Sequence, residues 1–159
     1  ASSILDGQFS VQMQKNIIDF HDILYTQISE WVNSNEGERN KWTKYLRYTP
    51  EILTLLCNLS ADKNVSVEMK AKLAGALAYF IAPIDLIPEG LHGPGGFIDD
   101  IAVAALVIKS IIKENGENIV AENWTNTEID INYLIDNITS DAEKMVGKKI
   151  YKQLKKMFP

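Results

Sequence analysis

The stretch "AYFIAPIDLIPEGLHGPGGFIDDIAVAALVI", residues 78–108, decides how this chain is read. Two apolar runs flank a turn made of proline, glycine and acid. The second run is apolar on every side from Ile101 to Ile108, and a helix of that kind is buried all round, in a core or against a partner. Two buried helices joined by a short loop must form a hairpin, and that hairpin is expected at the centre of the fold. The first helix should cover about Val67 to Ala82 and end at Pro83. Its stripe Leu73, Leu77, Phe80 lies beside Ala74, Ala78, Ile81, so it should be thin and central. Pro83 and Pro88 leave room for one short turn, "IDLI", and the second helix should run from Asp99 to about Lys113.

Outside the hairpin the periodicity is again helical, with no convincing alternating strand. A first helix is expected from about Val11 to Val32, through Ile17, Ile18, Leu24, Ile28, Trp31 and Val32. "NSNEGER" should break it, with Gly37 as the turn residue. A second helix should cover about Glu38 to Arg47, and a third should begin near Pro50, since proline suits a first helical turn. "ENGENIVAENW" reads as a connector. In "TNTEID", Thr127 is the expected cap of the last segment, Ile129 to Phe158, which is one long helix or two broken near Gly147. The expectation is an all-α fold: a compact bundle of about six or seven helices around a central apolar helical hairpin. It forms one domain over residues 1–159, with N-terminal helices in 1–49, a core in 50–113 and C-terminal helices in 114–159.

Composition agrees with a globular chain. Apolar residues make up 46% of the 159 and charged residues 23%, enough to bury a core without staples. The net charge of −5 gives no general pull toward nucleic acid, and none is expected as a partner. The single cysteine, Cys57, forbids an intrachain disulfide and reads as a small core hydrophobe. With no signal peptide visible, the expected compartment is the cytoplasm. No apolar stretch reaches the ~20 residues that span a bilayer, so any membrane contact should be peripheral. The lysine-, asparagine- and isoleucine-rich usage suggests a bacterial source.

The residues from "NLSADKNVSVEMKAKLAGALAYFIAPIDLIPE" through "GFIDDIAVAALVI" resemble the YkvA-like family of domains of unknown function, over about residues 50–113. Members are often described as membrane proteins because of the apolar hairpin. The resemblance implies no activity or substrate. His92, in the loop "GLHGPGG", departs from the family pattern, which argues against a histidine-based mechanism.

Four carboxylates stand in or beside the hairpin turn: Asp85, Glu89, Asp99 and Asp100. Aspartate is a favoured cap and turn former, so the first reading is that these acids build the turn. The functional alternative is a hard-cation site for Ca2+ or Mg2+, with loop carbonyls completing the shell. One cysteine and two histidines far apart in sequence argue against zinc. No phosphate-cradling or nucleophile motif is present, so no catalytic residue is assigned. In "KMVGKKIYKQLKK", Lys144, Lys148, Lys149, Lys152, Lys155 and Lys156 share one side of a helix. Val146, Ile150, Tyr151, Leu154, Met157 and Phe158 share the other. Such a basic amphipathic helix either packs on the core with a solvated lysine face or lies on an anionic membrane, with Lys148, Lys152 and Lys155 in contact. The expected role is therefore a non-catalytic interaction or scaffold domain, engaging a protein partner or the inner membrane surface. The alternative is a carboxylate-based divalent-metal-binding domain or a hydrolase built on it.

Overall fold

Helix follows helix along the chain, and no strand occurs among the described residues. The computed structural model describes residues 22–86 and 98–157, and for residues 79–86 it describes the backbone alone. The elements are α1 (22–32), α2 (Asn35–Arg39), α3 (Thr43–Leu46), α4 (Thr49–Ala61), α5 (Val67–Leu86), α6 (Ile98–Asn115), α7 (Glu117–Asn123), α8 (Ile131–Val146) and α9 (Lys148–Met157). They pack as an all-α bundle. The count exceeds the expected six or seven because short helices occur where turns or longer helices were expected.

The centre of the bundle is α6. Ile101, Ala102, Val103, Ala104, Ala105, Val107, Ile108 and Ile111 are all buried on it. It packs against α3, α4, α5, α7 and α8, which is why its apolar residues face every direction. Its hairpin partner α5 is described at the side-chain level only as far as Ala78. Over that stretch Met69, Leu73 and Ala76 form one buried face with Leu77 packed beside it, whereas Ala74 and Ala78 are exposed. Small residues permit close approach but do not demand burial. The backbone of α5 also runs through Pro83 to Leu86 rather than stopping at Ala82. Proline's fixed φ near −65° is itself helical, and what it removes is one hydrogen bond.

Other differences arise in short segments. The expected helix over 38–47 is two pieces, α2 and α3, separated by Asn40, Lys41 and Trp42. Asn40 Oδ1 accepts from the Trp42 amide at 2.8 Å, holding that corner. Gly37 is not the turn residue. It lies buried within α2, and a Cβ there would sit 2.0 Å from the Trp31 carbonyl oxygen. Its role is close approach, and Ser34 makes the turn. The Ser34 hydroxyl donates to Trp31 O at 2.5 Å and accepts from the Gly37 amide at 3.1 Å. The connector 114–124 contains α7, whose Ile119 and Val120 are buried. Asp130, not Thr127, caps α8: its side chain accepts from the Asn132 amide at 2.9 Å. The C-terminal segment breaks at Gly147, at φ +89° and ψ 157°, a conformation open essentially to glycine alone.

Elsewhere the periodicity holds. Ile131, Leu134, Ile135, Ile138, Ala142 and Met145 form the buried stripe of α8, and α4 begins one residue before Pro50. Leu24 and Ile28 anchor α1; its expected start at Val11 lies outside the described residues. Cys57 is half-buried and burial raises its thiol pKa to about 11, so it is a packing residue and not a reactive thiol.

Candidate functional site

Among the described residues three places are candidates for function: the start of α6, the outer face of α9, and a cleft between the α3–α4 corner and α8.

At the start of α6, Asp99 and Asp100 are the second and third helical residues. They stand beside amides that lack intrahelical partners. Asp99 is exposed on the protein surface and its carboxyl is pushed up from the usual range by desolvation. Asp100 is only 3% exposed, and its Oδ2 has no hydrogen-bond partner among the described residues. Burial first, and then the neighbouring Asp99 charge, raise Asp100 to about 8. A carboxyl in that state holds its proton at neutral pH unless a cation replaces it. Asp85 lies on the helical backbone of α5, past Pro83, and its side chain lies outside the described part of the structure. Amides in that helix are committed to its own carbonyls, so Asp85 does not sit in an open turn. Glu89, His92 and His21 lie outside the described residues. Among the described residues no group of three or more His, Cys, Asp and Glu gathers to hold a metal.

The lysine face is divided. Lys144 belongs to α8, and Gly147 separates it from Lys148, Lys149, Lys152, Lys155 and Lys156 on α9. Those five are exposed and pair with no carboxylate among the described residues. Lys155 lies 5.1 Å from the Tyr151 ring centre. Only Leu154 of α9 is buried, on the side opposite the lysines. Ile150 and Met157 stand exposed beside it. No helix among the described residues is long and apolar enough to cross a membrane.

The third place has no counterpart among the sequence expectations. A half-open cleft of about 510 Å³ separates the corner formed by α3 and the start of α4 from the first turns of α8. Lys44, Tyr45, Arg47 and Tyr48 form one wall and Tyr133 and Asn137 the other, over Ile129 and Leu134. The Tyr45 hydroxyl donates to the Asp141 carboxylate and lies 3.4 Å from the Asn137 carbonyl, tying the two walls together. Burial, and then that carboxylate, hold the Tyr45 phenol well above its ordinary pKa, so it stays protonated. The signal available in sequence was "RNKWTKYLRY", residues 39–48: four cations interleaved with aromatics and no acid, in a chain of net charge −5.

The family model described as "Protein of unknown function (DUF1232)" matches residues 69–106, which takes in α5 from its third residue, residues 87–97 and the first half of α6. Uncharacterized protein ORF9 of Methanothermobacter thermautotrophicus is 30% identical over 111 residues, covering 70% of this chain and 75% of its own length. The chain belongs to this family of unknown function. That relative is archaeal, so the family does not support the bacterial source expected from residue usage. A further relative, the E3 ubiquitin-protein ligase RNF170 of Xenopus laevis, is 50% identical over 36 residues, 23% of this chain but 14% of that protein. No solved structure matches the chain.

Proposed function

We propose that the chain is a non-catalytic interaction domain of the YkvA-like type that docks on an anionic membrane surface at the cytoplasmic side through α9. The observation that carries this reading is the division of labour on α9. One side chain, Leu154, holds the helix to the core, and five exposed lysines point away from it. Each lysine brought close to an anionic leaflet contributes about 1 kcal/mol. The occurrence of a 36-residue match within the much longer RNF170 chain supports a portable module. The test is flotation with vesicles of neutral phosphatidylcholine, with and without phosphatidylserine. The chain should float with the anionic vesicles at low salt and be released as salt rises. Changing Lys148, Lys152 and Lys155 together to Glu should abolish binding. Equal flotation of the triple variant would sink the reading.

A second reading rests on Asp100. A buried carboxyl with an unpartnered oxygen beside a second aspartate is a place where Ca2+ or Mg2+ could replace a proton, with Asp99, and with Asp85 and Glu89 as further ligands. Thermal melting with chelator and with millimolar cation decides it. A cation-dependent rise that Asp100→Asn removes supports the site, and an unchanged melting temperature removes it.

A further inference from the structure

The cleft between the α3–α4 corner and α8 presents a combination that neither core packing nor α9 explains. Lys44 and Arg47 are exposed on one wall, and Arg47 pairs with no carboxylate among the described residues. Arg39 and Lys41 extend the positive charge along the same segment, and Lys41 lies 4.7 Å from the Trp42 ring centre. Across the cleft Tyr133 is 65% exposed, a large ring left in water on the outer side of α8. Tyr48 is half-buried opposite it. Asn137 supplies an amide at the rim. No carboxylate lines the cleft among the described residues, and Asp141, beside it, accepts from the Tyr45 hydroxyl.

We propose that this cleft binds a small aromatic phosphate, such as a nucleoside monophosphate. Arg47 offers a planar fork of donors suited to a phosphate, and Lys44, whose Nζ stands 5.1 Å from the Tyr45 ring centre, adds a second charge. Tyr133 and Tyr48 offer ring faces on which a base or aryl group stacks. Asn137 can donate to or accept from a base edge. The volume of about 510 Å³ lies in the range of small-molecule sites. A long nucleic acid is disfavoured, because the chain as a whole carries a net charge of −5.

The experiment is an amide NMR titration of the full chain with adenosine monophosphate, and separately with phenyl phosphate, inorganic phosphate, adenosine and a single-stranded oligonucleotide. The two aromatic phosphates should give saturable shifts at Lys44, Arg47, Tyr133 and Asn137. Adenosine and inorganic phosphate should each bind roughly tenfold more weakly or worse, since each lacks half of the recognition. Arg47→Gln and Tyr133→Ala both change exposed side chains, and each should weaken binding several-fold while leaving the amide spectrum that of a folded chain. Lys152→Glu, on α9, should leave it unaltered. The proposal is overturned by shifts that fail to saturate, by inorganic phosphate binding as tightly as the nucleotide, or by indifference to both cleft substitutions. Binding of the oligonucleotide without binding of the monophosphate would also overturn it, in favour of a polymer surface.

Discussion

Asp100 concentrates the tension in this molecule. A helix start favours negative charge, yet this carboxyl is buried, has an unpartnered oxygen, and titrates near 8. In the unfolded chain the same group titrates near 4. Between those values the folded state holds a proton that the unfolded state releases, so folding stability must fall as pH rises from about 4 to about 8. The loss should reach at least ~2 kcal/mol at pH 8 relative to pH 4 from this group. Asp100→Asn keeps the shape without the ionisation. Denaturant melts across pH should therefore show a flatter profile for the variant, and a variant more stable than the parent at pH 8. A parent profile with no decline over that window would show that Asp100 is ionised in the fold. The sequence pointed to the acids at this turn but not to which one is buried, because burial depends on the helices packed around the start of α6.

Among the elements, long helices were legible and short ones were not. The stripes of α4, α6 and α8 repeat over three turns or more, so several apolar residues vote for each face. By contrast α2 buries only Gly37, and α7 only Ile119 and Val120, too few to establish a period. Gly37 reads as a turn in the sequence because glycine usually serves positive φ; here it serves contact, since any side chain would meet the backbone of α1. Gly37→Ala should cost ~2–3 kcal/mol through overpacking against backbone that cannot rotate aside. Chemical denaturation would check this, and a loss below that of an ordinary helix-surface change would contradict the close approach. The α9 lysines were legible one by one, while the break at Gly147, which removes Lys144 from their face, came down to one backbone angle. The cleft was invisible for a different reason. It joins Tyr45 to Asn137, which are 92 positions apart, and no local pattern reports such a meeting.

For the whole molecule the balance is between an acidic chain and a basic outer helix. A net charge of −5 repels an anionic surface at long range, so the docking proposed here requires an oriented approach with α9 leading. The proposed docking would leave the core untouched, because α6 and its neighbours carry the core while α9 is joined to it chiefly through α8 and Leu154. Substitutions on the lysine face should therefore change docking without unfolding the core. The most direct measurement is hydrogen exchange of the intact chain, free and bound to phosphatidylserine vesicles at low salt. The account predicts slowed exchange concentrated in residues 148–157, lost when salt is raised, with α4 and α6 unaltered. Unchanged exchange in that segment on bound protein, or protection confined to another element, would contradict it.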